Sequence, residues 1–302
     1  KKGLHLHGPK PIFYDIERQI AHMDEVGVDM AILMLGAWQE WLNTKTAPFV
    51  NERAAELVAK YPKRLAAMAH PPIPIQSHAS LKELERAVKQ LKLCAIGITT
   101  HINGVPVDDK RFYPFWEKAA ELDVPVVITP YSYPESKPLA GLDIAYHYGR
   151  LENVLRLMVR FIFSPILDRL PQVKIVMPHL GGGFFAVRKR LDLAHVMFYS
   201  GKANMEKMED LKTRMDRVVS QRLARLYFES APANWGQPEL SCALAVYGED
   251  RILLGSDYPV GPSFLREAVA MVKNMDASLQ AKNKILGENA GRLFKLASPV
   301  RS

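Results

Sequence analysis

The chain has 302 residues, with 40 Lys and Arg against 32 Asp and Glu, a formal charge of +8, 48% apolar residues and two cysteines. This composition excludes intrinsic disorder, a collagen-like fibre and a disulfide scaffold. Cys94 and Cys242 lie in apolar runs and are expected to be buried thiols in a reducing, cytoplasmic compartment. No apolar run approaches the ~18 residues of a membrane span. The basic residues are interleaved with acids, as in Glu83–Lys92 and Lys202–Arg217, so solvated helix faces are expected. Nucleic acid and membrane are therefore not expected as partners, whereas a positive field suits a small anionic substrate.

Gly3–His7 is a short candidate strand that places His5 and His7 on one face. Ile16, Ile20 and Met23 step by four and three, which predicts a helix. Met30–Leu35 is the next strand, and Asn51 followed by Glu52 predicts a helix start. Leu65–His70 is a strand; Leu81, Leu84, Val88 and Leu91 share a helix face. Ala95–Thr100 is a strand, and Pro114 opens a helix over Phe115–Leu122. Val124–Thr129, Lys174–His179, Leu226–Ser230 and Ile252–Asp257 complete the strands. Between the last three lie Met205, Met208, Leu211 and Met215, a packing face; His22 and His195 are expected at the surface of helices. Most strands are near-continuously apolar, which suits a parallel sheet covered on both faces. With no repeat or linker, residues 1–302 form one α/β domain. Eight βα units are the arithmetic of a TIM (β/α)8 barrel, distorted at strand one if Gly3–His7 is a loop. A doubly wound sheet would usually bring a phosphate loop after its first strand, and the glycine run Gly181–Gly183 follows a late one.

The polar residues gather at strand ends, where such a barrel carries its active site. They are His70, Thr100 and His101, Thr129, His179, Glu229 and Asp257. His5 and His7 with His179 and Asp257 make a plausible set for one divalent metal, Zn or Mn, with a position left open. His179 and Asp257 could instead act directly as acid and base, with Glu229 placed to orient His179. Trp38 and Trp41 follow the Met30–Leu35 strand, as a substrate lid or a loop anchor. Tyr131 and Tyr133 follow Val124–Thr129 and could add phenolic donors. His101 and Asn103 suit a polar turn.

Two contexts are specific. Pro178-His179-Leu-Gly-Gly-Gly with Arg190-Leu191-Asp192 behind it, and Leu-Leu-Gly-Ser-Asp257-Tyr-Pro, closely resemble the amidohydrolase-related family that includes aminocarboxymuconate-semialdehyde and γ-resorcylate-type decarboxylases. Arg111-Phe-Tyr-Pro-Phe-Trp116 and Ile285-Leu-Gly-Glu-Asn-Ala-Gly-Arg-Leu-Phe294 are similar too, and the resemblance runs from about Asp15 to Leu296. It implies a TIM barrel, usually a homodimer, with one divalent metal at its mouth. It implies a proton-shuttling or metal-proximal His179 and a metal-binding or basic Asp257. Arg190 matches an arginine that reaches into the neighbouring subunit to grip a substrate carboxylate, for which its planar fork is suited.

The pattern is departed from twice. The family usually ends the Val124–Thr129 strand in Val-x-Ile-His-Pro, whereas here it is Val126-Val127-Ile128-Thr129-Pro130, and a neutral hydroxyl is a poor ligand. Thr129 is therefore grouped with Arg190, Trp38 and Tyr131 as substrate-binding. The family's first strand carries Asp-x-His-x-His, whereas this chain has Lys2-Gly3-Leu4-His5-Leu6-His7. His5 and His7 are either the first-strand ligands or part of a loop downstream of a missing strand. The expected activity is decarboxylation of a small unsaturated or aromatic carboxylate with protonation at carbon, metal-dependent or metal-free. The alternatives are hydrolysis of a C–O, C–N or activated C–C bond, and a catalytically silent ligand-binding relative.

Overall fold

The seven apolar runs from Ala31 onward all form parallel strands. In the computed structural model, which describes residues 14–130, 145–191, 219–232 and 234–296, they are β1 (Ala31–Leu33), β2 (Leu65–Ala69), β3 (Ala95–Thr99), β6 (Val126–Thr129), β7 (Ile175–Met177), β8 (Leu226–Glu229) and β9 (Ile252–Leu253). A separate hairpin, β4 (His101–Ile102) and β5 (Val105–Pro106), stands over the end of β3. Each strand pairs with the next in sequence, with helical segments between. That winding curls the sheet into the TIM barrel expected. Most predicted strands ran too long at the C-terminal end: His70, Thr100, His179, Ser230 and Asp257 all lie beyond the strand proper. The polar residues turn out of the ladder, which is what makes them available at the mouth. The expected first strand, Gly3–His7, lies outside the described residues.

Alternation along the strands separates two cores. Met68, Ala95, Val127, Val176 and Leu253 pack inside the barrel, with Leu293 and Phe294 against them. Those two belong to the helix Asn289–Phe294 and close the end where the strands begin. Ala67, Ala69, Ile96, Ile98, Val126, Ile128, Ile175 and Phe228 point outward into a larger core with Leu84, Phe115, Trp116 and Phe161. Further along the inward rows lie Gly97 and then Thr99 after Ala95, Thr129 after Val127, and Glu229 after Tyr227, so polarity on these inner rows rises toward the mouth.

The helices are set by local chemistry. Asp15 caps Ile16–Val26 by accepting from Arg18 N at 2.9 Å, and Gly27 ends it in a left-handed turn with φ 74°. This helix packs on Phe264–Lys273, the helix that follows β9. Asn51 is not a helix start. Asn43 Oδ1 accepts from Lys45 N and Thr46 N, and Thr46 Oγ1 accepts from Asn43 N, so the helix begins earlier and spans Thr46–Lys60. Asn51 is buried inside it, bonded to both backbone groups of His70 and to Glu83. The helix at Pro114 is present as Tyr113–Leu122, and Ser77 caps His78–Lys89. Charged side chains pair along exposed faces, as in Glu85–Lys89 and Glu152–Arg156. Lys202–Arg217 and the methionine face there lie outside the described residues. Of the cysteines, Cys94 is largely buried, its thiol pushed up to about 11 by desolvation, but Cys242 is exposed, contrary to expectation. Its position on Gln237–Tyr247 faces away from the apolar side that Leu240, Ala243 and Tyr247 bury.

Candidate active site

His179 follows β7 on a backbone turned entirely left-handed: φ is 51° at His179, 48° at Leu180, and 66°, 65° and 83° at Gly181, Gly182 and Gly183. The glycines adopt this freely, whereas each of the two other residues costs about 1–3 kcal/mol. Gly182 has a second reason to lack a side chain, since a Cβ there would lie 2.5 Å from Leu151 O and Leu155 N of the helix Ala145–Phe163. The turn is held by Tyr247, whose hydroxyl donates to Leu180 O at 3.0 Å and accepts from Phe185 N at 3.1 Å. Its ring stacks on Phe228 at 3.6 Å, and burial raises the phenol's pKa well above its ordinary value.

Glu229, at the end of β8, braces the same turn. Its Oε1 accepts from His179 N at 2.7 Å and its Oε2 from Ala231 N at 2.8 Å. From its sequence position Glu229 is expected to orient the imidazole. It instead grips the main chain, and the ring is oriented by Ala231, whose carbonyl lies 2.6 Å from Nδ1. The 3.5 Å approach of Glu229 Oε1 to Nδ1 is the longer contact and adds only field. A carbonyl can only accept, so Nδ1 carries a proton, and in the neutral ring the lone pair lies on Nε2. Nε2 has no hydrogen-bond partner among the described residues. Gly255 makes room for the carboxylate, because a Cβ there would fall 1.9 Å from Glu229 Oε2.

Asp257 follows β9 as another left-handed residue, φ 55°. Ser230 Oγ accepts from Gly255 N, Ser256 Oγ accepts from Tyr258 N, and Val260 N donates to Asp257 O. Tyr258 then reaches the first helix, its hydroxyl 2.8 Å from His22 Nδ1 with the rings edge to face. His22 is thus half-buried and anchors the Asp257 turn, a correction to its expected surface role; His195 lies outside the described residues.

The other candidates divide. Thr129 is buried at the end of β6 in register with Thr99, so the two hydroxyl-bearing residues face the mouth side by side. His70 is committed to the scaffold: Nε2 accepts from Leu35 N at 3.1 Å and Nδ1 lies 3.3 Å from Gly97 O, and burial pulls its pKa down to about 4. His101 is buried on the hairpin with Nδ1 3.1 Å from Thr100 Oγ1. Trp38 is half-buried on the segment Gly36–Trp41, while Trp41 is 66% exposed. Arg190 is exposed on Arg188–Leu191, beyond the His179 turn. His5, His7, Tyr131 and Tyr133 lie outside the described residues. Tyr247, Gln39 and the Ala231 carbonyl are not among the residues that the sequence singles out. Only Gln39 carried a signal, a polar side chain in Trp38-Gln39-Glu40-Trp41 directly after a strand.

An imidazole nitrogen and a carboxylate are donors that manganese or zinc accepts. Among the described residues no group of three or more His, Cys, Asp or Glu surrounds a common point. His179 and Asp257 are thus two residues of fitting donor type, following β7 and β9, among the described residues.

A curled parallel sheet of seven described strands, with proton-active side chains on strained turns at its strand ends, defines an enzyme of the TIM-barrel, barrel-mouth type. The chain belongs to the amidohydrolase family, whose model matches residues 15–296. It is 27% identical to γ-resorcylate decarboxylase of Polaromonas sp., over 93% of this chain and 87% of that protein. It is 23% identical to 2-amino-3-carboxymuconate-6-semialdehyde decarboxylase of Dictyostelium discoideum, over 92% and 76%. Among solved structures it is similar to 5-carboxyvanillate decarboxylase of Novosphingobium aromaticivorans, with a TM-score of 0.77 and 26% identity over 93% and 81% of the two chains. That structure holds manganese and 3-methoxy-4-hydroxy-5-nitrobenzoic acid.

Proposed function

We propose that this chain is a divalent-metal-dependent decarboxylase of a small aromatic carboxylate, placing a proton on carbon as CO₂ leaves. The observation that carries the reading is His179: a strained, doubly braced histidine whose Nδ1 is tied to Ala231 and whose Nε2 has no hydrogen-bond partner among the described residues. The decarboxylase names of the relatives give the direction of the chemistry.

His179 Nε2 and Asp257 would hold the metal, with His5 and His7 as further donors, and manganese is favoured by the related structure that contains it. A bound divalent ion would supply positive charge that fixes and polarises the substrate. The balance of the reaction is simple: the carbon bearing the carboxylate gains a proton, its C–C bond breaks, the pair returns to the ring, and CO₂ departs. Asp257, on its stiff turn, is the group assigned to move that proton. Thr129, Trp38 and Tyr131 are assigned to substrate contact. Arg190, exposed beyond the turn, is assigned to a substrate carboxylate in the neighbouring site of a homodimer. The compartment proposed is the cytoplasm.

The test is product analysis in deuterated, ¹⁸O-labelled water with Mn²⁺ and a panel of benzoates. CO₂ release with one deuterium on carbon is expected, and it is expected to vanish in Asp257→Asn and His179→Ala. Incorporation of ¹⁸O without CO₂ would replace decarboxylation with hydrolysis.

A further inference from the structure

The segment Gly36–Trp41 leaves β1 and packs against β3 at the rim of the barrel. Gln39 points inward from it. Its Nε2 would lie 3.5 Å from a Cβ built on Gly97, an inward position of β3. Gln39 is only 3% exposed, yet neither Nε2 nor Oε1 has a hydrogen-bond partner among the described residues. A buried primary amide with both ends unpaired is uncommon and costly. The polar groups around it are engaged elsewhere. His70 is held by Leu35 N and Gly97 O, and Thr99 Oγ1 gives its proton to His101 O at 2.7 Å. The next residue, Glu40, comes within 3.4 Å of Thr99 Oγ1, and Thr99 is in register with Thr129. Glu40 thus ties the segment Gly36–Trp41 to the Thr99 and Thr129 pair of the candidate site, with Gln39 the neighbouring residue, turned toward Gly97 of the same strand.

We propose that Gln39 is a specificity-determining residue whose amide receives a hydroxyl group on the ring of the bound aromatic acid. This rests on the aromatic-acid reading above and adds the residue that inspects the ring. A carboxamide presents a donor and an acceptor side by side, and a hydroxyl both donates and accepts, so one group satisfies both ends. A carboxylate only accepts and would be repelled by Oε1. An unsubstituted ring would leave the buried amide unpaired, and such a site rejects the analogue that lacks the hydroxyl.

The experiment is calorimetric binding of benzoate and its 2-, 3- and 4-hydroxy derivatives to the manganese-loaded protein, wild type and Gln39→Leu, with melting curves of the free proteins. Wild type is expected to prefer one hydroxybenzoate over benzoate by about tenfold, the scale of one well-made hydrogen bond in a closed site. Gln39→Leu is expected to lose that preference, bind benzoate as before, and melt no lower than wild type. A preference that survives Gln39→Leu overturns the proposal. So does a melting point that drops by several degrees with equal weakening for every acid, the signature of a structural amide bridged by buried water. Wild type binding none of the four acids sinks the aromatic-acid reading and this role with it, whereas binding without a Gln39-dependent preference sinks only the role of Gln39.

Discussion

Tyr247→Phe removes one oxygen atom and leaves the ring stacked on Phe228. Leu180 O and Phe185 N lose their partner in a region with no solvent access for the side chain, since Leu180 and Phe185 are both buried. Each buried group left unpaired costs about 1–3 kcal/mol, so the pair costs about 2–4 kcal/mol once the loop has relaxed slightly. For a chain of this size, about 2.1 cal/mol/K per residue of unfolding entropy converts that to a fall of roughly 3–6 °C in melting temperature. The damage should not stop at stability. His179 and Leu180 sit at φ 51° and 48°, and a strained turn persists only while its surroundings over-determine it. With the Tyr247 hydroxyl gone, the turn can relax and carry Nε2 away from the mouth, so metal affinity should fall as well. Calorimetric melting together with a manganese titration of the folded variant checks both parts. A melting temperature within 1 °C of wild type, or a lower one with unchanged manganese affinity, would refute the claim that Tyr247 holds this turn.

Gly255→Ala should abolish the Glu229 brace, because the new Cβ would lie 1.9 Å from Oε2 and 3.0 Å from Ala231 N. Its expected signature is loss of metal binding at retained fold, read by elemental analysis beside circular dichroism; full metal occupancy would count against Glu229 as the brace. Acid should destabilise the protein through His70, whose pKa falls from 6.5 to about 4 on burial. The unfolded chain takes up that proton first as pH falls below 6.5, so stability is intact above that value and is lost progressively down to about pH 4. The loss is about 3 kcal/mol in all. Urea titrations of wild type and His70→Gln at pH 7 and pH 4.5 check it, and equal pH dependence in the two proteins would rule His70 out as the source.

The strands were legible because a barrel stave covered on both faces must be apolar throughout, and Ala95–Thr99 and Val126–Thr129 show that composition directly. Helix starts were less legible. Asn51 carries the chemistry of a cap, but its amide is used across the fold on His70 and Glu83, a distance no local pattern encodes. The same limit applied at the site. His179, Glu229 and Asp257 stood out because polar residues ending apolar strands are unusual. What Glu229 touches was not legible, since it depends on Gly255, just past the next strand, leaving space. Tyr247 lies on a helix 67 residues from the Leu180 carbonyl it binds, so only the folded chain brings the two together.

Two sets of polar groups near the strand ends stand apart, and the contrast between them says where a ligand goes. Glu229, Tyr247, Ser230 and His70 have their hydrogen-bonding capacity taken up by backbone. They lock three strand ends together and hold the left-handed turns in place, which requires groups with no freedom of their own. His179 Nε2 and the Gln39 amide are the opposite: both belong to buried residues, and neither has a partner among the described residues. A fold that satisfies so many backbone groups around them could satisfy these with a single water or a single side-chain substitution. A scaffold this heavily braced around groups left unpaired is what a preorganised binding site requires, because the ordering is completed in folding rather than when the ligand arrives.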